Sequence, residues 1–156
     1  MTKGKINTKV KNLSIVSTDT KKKKLHDFLT KNLILYFYPK DMTPGCTTES
    51  IEFNLALSKI KRLNANIVGV SRDKISLHEK FIEKHGFKFP LISDSDEKVC
   101  NEFDVIKEKS LYGRKYMGVD RSTFIIDVNA KILHVWRNVK VKGHVDEVIE
   151  VLKGMK

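Results

Sequence analysis

The stretch YPKDMTPGCTTE, residues 38–49, holds the side chains of this chain that are best suited to do chemistry. Cys46 follows Thr43-Pro44-Gly45, where a predicted buried strand gives way to a predicted helix. The N-terminus of a helix carries partial positive charge and unpaired backbone N–H groups, and both stabilise a thiolate. Because the thiolate is the nucleophilic form of cysteine, this position predicts a reactive thiol.

The neighbours of Cys46 have types that suit the same chemistry. Thr43 lies one turn before Cys46, and its hydroxyl is expected to donate to the sulfur or to a substrate oxygen. Pro39 ends the strand and can cover the site against water, while Glu49 can accept from the local backbone or orient a cation. The alternative is an ordinary strand–turn–helix joint with an incidental cysteine, since free cysteines are often plain buried residues.

A reactive thiolate also needs a cation or strong hydrogen-bond donors nearby in space. Distance along the sequence does not reveal which cation serves. Arg121 is a reasonable candidate because it begins a strand, where a guanidinium is held rigidly beside the sheet. The full set of candidates is Arg62, Arg72, Arg114, Arg121 and Arg137.

Apolar runs and helical periodicities alternate along the chain, which is typical of an α/β fold. We expect one domain, residues 1–156, with helices flanking a central mixed sheet. The polar segment 107–120 lacks a clear period and is predicted to be a surface loop. The predicted strands are residues 33–38, 66–70, 89–92, 123–127 and 131–136, of which the last two form a hairpin, and the predicted helices are residues 46–63, 75–85, 96–103 and 143–152.

The chain is basic, with 30 Lys and Arg against 19 Asp and Glu and a net charge of +11 over 156 residues. Such a field favours anionic partners, nucleic acid included. The simpler interpretation is a lysine-rich surface that keeps the protein in solution, because the charge is spread out and aromatic residues are not interleaved with it. No apolar run is long enough to span a bilayer and no secretory signal is visible, so we expect a cytoplasmic protein without membrane contact.

The chain has two cysteines, Cys46 and Cys100, and they are 54 residues apart. It has no CxxC and no Cys/His cluster with metal spacing, which argues against a disulfide framework, a structural zinc site and a CxxC-type thiol–disulfide oxidoreductase. No histidine has a catalytic spacing to Cys46, and the glycines form no phosphate-binding loop. The sequence therefore signals neither a metal nor an organic cofactor.

Four longer segments resemble one known family in the right order. They are LYFYPKDMTPGCTTE, VGVSRDKISLHEKFIEKHGFKFPLISDSD, EKSLYGRKYMGVDRSTFIID and VKVKGHVDEVIEVL. They resemble the peroxiredoxins, specifically the Q-type or bacterioferritin-comigratory branch, from about Leu25 to the C-terminus. The resemblance implies a thioredoxin-like fold and a thiol-dependent peroxidase that reduces hydrogen peroxide and organic hydroperoxides.

Carried over residue by residue, the resemblance implies that Cys46 is the peroxidatic cysteine. Pro39 and Thr43 match the proline and threonine of the family's motif, and Gly45 and Cys46 supply backbone N–H groups to the reacting oxygens. Arg121, which precedes Ser-Thr-Phe, matches the active-site arginine, and Glu49 matches a glutamate that holds that arginine in place.

The chain departs from the branch where many members carry a resolving cysteine, five residues after the peroxidatic one, because Ile51 stands there. Cys100 is the only internal alternative. We expect it to be a half-buried helix residue that would need local unfolding to reach a disulfide Cα separation of roughly 4.4–6.8 Å. We therefore expect a one-cysteine cycle with an external thiol such as thioredoxin, or glutaredoxin with glutathione, and a monomer.

Another class of protein stays open at this point. The net charge of +11 and the missing cysteine at position 51 would also fit a basic binding or DNA-protecting module that keeps the fold with little turnover. The intact set of Pro39, Thr43, Cys46 and Arg121 argues against it.

Overall fold

The computed structural model describes residues 3–155, and a six-stranded mixed sheet lies at its centre. The strands in these described residues are β1 (Val16–Ser17), β2 (Asn32–Phe37), β3 (Ala65–Ser71), β4 (Leu91–Ser93), β5 (Ile106–Leu111), β6 (Arg114–Val119), β7 (Ser122–Ile126) and β8 (Ile132–Trp136). The central sheet has the order β1-β4-β3-β2-β7-β8. Strands β2, β3 and β4 are parallel, while β1, β7 and β8 pair antiparallel with their neighbours. The predicted α/β class with a mixed sheet is confirmed, as is the predicted β7–β8 hairpin.

In the part of the chain that the structure describes, five α-helices connect and cover these strands, together with a short 3₁₀ helix at Leu25–Phe28. They are α1 (Pro44–Leu55), α2 (Leu57–Arg62), α3 (Ile75–His85), α4 (Lys98–Glu102) and α5 (His144–Gly154). The single helix predicted over 46–63 is wrong in detail, because the chain breaks at Ala56 into α1 and α2. Helix α1 also starts earlier than predicted, at Pro44, since proline at the first helical position lacks only an N–H that would have no partner there. Within residues 3–155 no helix is both long enough and apolar enough to cross a membrane.

The sheet divides the core into two clusters, because successive side chains of a strand point to opposite faces. Leu33, Leu35 and Phe37 of β2 pack in one cluster, and Cys100 belongs to it. Ile34, Tyr36 and Tyr38 pack in the other, under α1, α2, α3 and α5, and Cys46 belongs to that one. The two cysteines of the chain therefore lie on opposite faces of the central sheet.

The surface loop predicted over 107–120 is wrong. Strands β5 and β6 pair there as an antiparallel hairpin, from Ile106 opposite Val119 to Leu111 opposite Arg114. Tyr112 and Gly113 make its two-residue turn, both with positive φ (53° and 78°), as tight hairpin turns of this type require. The sequence pattern did not predict these strands, because most side chains on both faces are exposed. The residues therefore do not alternate between apolar and polar.

Candidate active site

Cys46 lies in the first turn of α1, at the carboxyl end of the central strand β2, and its side chain is 1% exposed. Residues 39–43, which we call the cysteine loop, connect β2 to α1. The backbone N–H groups of Gly45 and Cys46 have no carbonyl four residues back inside the helix to pair with. They are therefore available to an oxygen that approaches the sulfur.

Thr43 is the residue that flanks the start of α1, in an extended conformation. Its hydroxyl donates to the backbone oxygen of Lys40 at 2.8 Å, and among the described residues it caps no N–H of α1. The expectation that Thr43 donates to the sulfur or to a substrate oxygen needs correction, since a hydroxyl has one hydrogen to donate and this one is donated to Lys40 O. The lone pairs of Thr43 are instead free to accept a hydrogen bond from a bound substrate.

Arg121 is the arginine that the structure brings to Cys46. Its Nη2 donates to Cys46 Sγ at 3.4 Å and its Nη1 donates to Glu49 Oε1 at 2.7 Å, so one planar fork joins both groups. Burial by itself would lower the pKa of Arg121, but the neighbouring Glu49 and Cys46 hold that pKa above its usual value. The other candidates lie elsewhere: Arg72 pairs with Glu97, Arg137 donates to three backbone oxygens, and Arg62 and Arg114 are exposed.

Two further predicted residues lie beside this pair. A Cβ at Gly45 would approach Arg121 Nη2 to 3.2 Å, so the glycine lets the guanidinium come close to the start of α1. Pro39 is half-buried and begins the cysteine loop directly after the buried Tyr38. Its place as a cover over the sulfur stays a prediction.

Glu49 is fully buried, and its second oxygen, Oε2, has no hydrogen-bond partner among the described residues. Burial raises the pKa of Glu49 to about 7 against the opposing effect of Arg121, and Glu52 nearby raises it further. The site thus holds a carboxylate that costs stability when it is ionised. Its contact with Arg121 is the reason such a group fits here, because it fixes the guanidinium beside the sulfur.

Replacing Glu49 with glutamine is expected to stabilise the protein at high pH relative to the unchanged chain. A carboxyl with a raised folded-state pKa contributes stability below about pH 4.5 that is lost as the pH rises through about 7. E49Q does not lose this contribution. The unfolding free energy of E49Q minus that of the unchanged protein should therefore rise by up to about 3 kcal/mol between about pH 5 and about pH 8. Urea unfolding at both pH values measures the difference.

The unfolding free energy of E49Q must be compared with that of the unchanged protein at each pH, because His144 changes the stability of both with pH in the opposite direction. Burial lowers the pKa of His144 to about 4, so its contribution to stability grows as the pH rises from about 4 to about 6.5. The exposed Glu79 on α3 offers the matched control, and E79Q should follow the unchanged protein at both pH values. Parallel curves for E49Q and E79Q would contradict the assignment.

A second polar cluster lies under the cysteine loop, and no pattern in the sequence indicated it. Asp41, Asp73 and His78 bring one potential metal-ligand atom each to within 4.8 Å of one another. His78 Nδ1 and Asp41 Oδ2 are 2.5 Å apart, whereas two ligands of one tetrahedral zinc would lie roughly 3.3 Å apart. The cluster is therefore a hydrogen-bonded network. Reasoning from sequence missed it because 37 residues separate His78 from Asp41, and neither position carries a local signal.

Cys100 is fully buried in α4, which corrects the expectation of a half-buried residue. Burial raises the pKa of the Cys100 thiol well above its usual value, and the Asp94 carboxylate adds to the effect. Asp94 also accepts the backbone N–H of Cys100 at 2.8 Å, which ties α4 to the turn before it. This thiol lies on the face of the sheet away from Cys46 and is held in its inert form.

A buried sulfur that is fixed beside a guanidinium suits attack on a small electrophile, which is the chemistry of thiol-dependent redox enzymes. Residues 6–135 match the AhpC/TSA family, and the chain belongs to that family. Peroxiredoxin Bcp of Xanthomonas campestris pv. campestris is 51% identical over 121 residues, which cover 78% of this chain and 76% of the relative. Peroxiredoxin Bcp of Bacillus subtilis is 48% identical over 132 residues, which cover 85% of this chain and 84% of that protein.

A solved structure of the Xanthomonas campestris bacterioferritin comigratory protein, from work on trapped intermediate and ligand complexes, has a TM-score of 0.88 and 43% identity. The match covers 93% of this chain and 91% of that one. The fold is thioredoxin-like and the protein is a peroxiredoxin, a thiol-dependent peroxidase, as the sequence predicted. The alternative of a basic binding module with little turnover is not favoured by these relatives.

Proposed function

We propose that Cys46 is the peroxidatic cysteine and that it reduces hydrogen peroxide and organic hydroperoxides. The observation that carries the proposal is the 3.4 Å contact from Arg121 Nη2 to Cys46 Sγ, with Glu49 fixing the other arm of the guanidinium at 2.7 Å. A fixed cation in this position stabilises the negative charge that moves from sulfur to the leaving oxygen, because it needs no reorganisation during the reaction. The alkyl peroxide reduction activity of the Xanthomonas campestris bacterioferritin comigratory protein supports organic hydroperoxides as substrates.

The first half-reaction forms an S–O bond and breaks the O–O bond. The Cys46 thiolate attacks the terminal oxygen of ROOH in line with the O–O bond, RO⁻ leaves, and RO⁻ takes a proton from solvent to give ROH. Sulfur is oxidised to the sulfenic acid Cys46–SOH, and the peroxide is reduced. No metal or organic cofactor takes part in this step.

The surrounding groups act on the charge that moves from sulfur to the leaving oxygen. Arg121 and the N–H groups of Gly45 and Cys46 donate to the oxygens, and such donors lower the barrier because they need no reorganisation during the reaction. Thr43, whose hydroxyl donates its own hydrogen bond to Lys40 O, accepts a hydrogen bond from the bound hydroperoxide and so orients its terminal oxygen. Pro39 shields the sulfur from water.

The second half-reaction uses an external thiol. That thiol attacks Cys46–SOH, a mixed disulfide forms and water leaves, and a second external thiol then releases Cys46–SH as its own disulfide forms. The position of Cys100 across the sheet and the half-exposed Ile51 at the usual resolving position both support this one-cysteine cycle. Thioredoxin, or glutaredoxin with glutathione, has the chemistry required.

Intact mass after oxidation tests the cycle. One equivalent of hydrogen peroxide, followed by blocking of free thiols, should add about 16 Da at Cys46, and excess peroxide about 32 Da, as sulfenic and then sulfinic acid form. The Cys100→Ser variant should show the same additions and keep its reductant-driven turnover, because Cys100 takes no part.

The alternative outcomes are distinct. A loss of about 2 Da, together with a collapse of turnover in Cys100→Ser, would make Cys100 the resolving thiol after a large local rearrangement. Unmodified thiols in the presence of peroxide would overturn the role of Cys46 altogether.

Further proposals concern the setting of the enzyme. We take the whole chain, residues 1–156, as one peroxiredoxin domain that acts as a monomer in the cytoplasm, with no nucleic-acid partner. The six-stranded sheet combines β1, near the start of the chain, with β8, near its end, and this supports a single domain. Light scattering during gel filtration measures the oligomeric state, and a stable dimer would contradict the monomer.

A further inference from the structure

The middle of the cysteine loop is anchored below the surface although its neighbours are exposed. Asp41 is 2% exposed, whereas Lys40 and Met42 on either side of it are exposed. A buried carboxylate is costly unless it is hydrogen-bonded. Its partners therefore decide where this loop lies.

Three elements of the fold hold Asp41. The Tyr38 hydroxyl at the end of β2 donates to Oδ1 at 2.6 Å, and the His78 ring on α3 contacts Oδ2 through Nδ1 at 2.5 Å. The backbone N–H of Asp41 donates to Asp73 Oδ2 at 2.7 Å, in the turn after β3. The Ser71 hydroxyl donates to the same Asp73 oxygen at 2.6 Å.

The position of the hydrogen between His78 and Asp41 is deduced from the contact that the other ring nitrogen of His78 makes. His78 Nε2 lies 2.8 Å from the backbone oxygen of Ile92, which only accepts, so Nε2 carries a hydrogen. One further proton joins Nδ1 to Oδ2, since two lone pairs would repel at this distance. The ring and the carboxyl are therefore joined by a hydrogen bond, while the Tyr38 hydroxyl donates to the other carboxyl oxygen.

We propose that His78 is a positioning residue for peroxide reduction, and that it acts through Asp41 on the cysteine loop. This inference rests on the proposed role of Cys46. His78 sits on α3 and reaches the loop at Asp41, two residues before Thr43. The other ring nitrogen of His78 contacts the backbone oxygen of Ile92 in β4. The ring therefore fixes the position of the cysteine loop relative to the sheet.

The loop needs such an anchor because its conformation is not intrinsically favoured. Met42 has φ of 68°, a left-handed conformation that side chains other than glycine adopt at a cost and that surrounding contacts must enforce. The turn through Met42 is what brings the Thr43 hydroxyl to Lys40 O at 2.8 Å. If the anchor is lost, the loop relaxes, and Thr43 no longer presents its lone pairs where the hydroperoxide binds.

Two substitutions at His78 separate positioning from a general structural role. The amide nitrogen of asparagine overlays Nδ1 of histidine and retains a donor for Asp41, whereas that of glutamine overlays Nε2 and retains the donor for Ile92 O. Both remove the ring, so their cost in stability should be similar. The readouts are the second-order rate of Cys46 oxidation by hydrogen peroxide and the rate of Cys46 alkylation by iodoacetamide.

We expect H78Q to lose about tenfold or more in the peroxide rate and H78N to stay within about threefold of the unchanged protein. Alkylation of Cys46 in H78Q should be unchanged or faster, because iodoacetamide does not use Thr43 and a relaxed loop exposes the sulfur. H85N and H85Q, on the same helix, are the matched controls and should leave both rates unchanged. Equal losses in H78N and H78Q, or parallel losses in both rates, would overturn the proposal.

Substitutions of Asp41, the partner of His78 on the cysteine loop, test the same proposal if a His78 variant does not fold. D41N can accept from Tyr38 and donate to His78 Nδ1, so it should stay within about threefold, whereas D41A should lose about tenfold in the peroxide rate. Full rates in both D41A and H78Q would refute positioning while leaving Cys46 as the reacting residue. Absence of Cys46 oxidation in the unchanged protein would instead refute the proposed function itself.

Discussion

Replacing Cys46 with serine is expected to abolish peroxide reduction. A serine hydroxyl stays protonated at neutral pH and cannot form a sulfenic acid, so the first half-reaction has no nucleophile. The fold should survive, because the substitution changes one atom at a site where Arg121 Nη2 can donate to the new oxygen. Peroxide consumption with dithiothreitol as reductant measures the loss, and circular dichroism checks the fold.

The matched control is Cys100→Ser, which removes the other thiol of the chain from the opposite face of the sheet. It should retain peroxide consumption close to that of the unchanged protein. A Cys46→Ser protein that still consumes peroxide would show that another group reacts, and the assignment of the site would fall.

Replacing Arg121 with lysine is expected to lower the rate of Cys46 oxidation by about 10²- to 10³-fold, although the positive charge is kept. The guanidinium contacts Glu49 and Cys46 with two nitrogens of one rigid plane. An ammonium is a single point on a flexible stem and cannot hold both positions. Stopped-flow measurement of the reaction with hydrogen peroxide gives the rate directly.

Arg72→Lys is the control for this change. Arg72 pairs with Glu97 at 2.8 Å and donates to the backbone of β6, without contact to Cys46, so its replacement should leave the rate nearly unchanged. Equal effects of the two substitutions would mean that Arg121 acts only through the overall electrostatic field of the protein and not through its contact with Cys46. Arg121→Lys at the full rate would remove Arg121 from the reaction.

Local patterns predicted much of the fold because the residues concerned act on their own neighbourhood. The apolar run at 33–38 is the central strand, and Gly86 ends α3 in the left-handed conformation (φ 68°) that glycine adopts without strain. Strands β5 and β6 escaped prediction for the converse reason. Most of their side chains are exposed or half-buried on both faces, so burial left no pattern in the sequence.

The sequence by itself determined that Cys46 stands near the end of a strand and at the start of a helix, because both are local properties of the chain. Among five arginines it could rank Arg121 only through resemblance to a family. The tertiary structure decided that contact, across 75 residues of sequence. It also placed Cys100 beyond reach on the other face of the sheet and joined His78 to Asp41 under the cysteine loop. These outcomes depend on which strand faces and helix turns meet in space. Local sequence patterns carry no information about such long-range contacts.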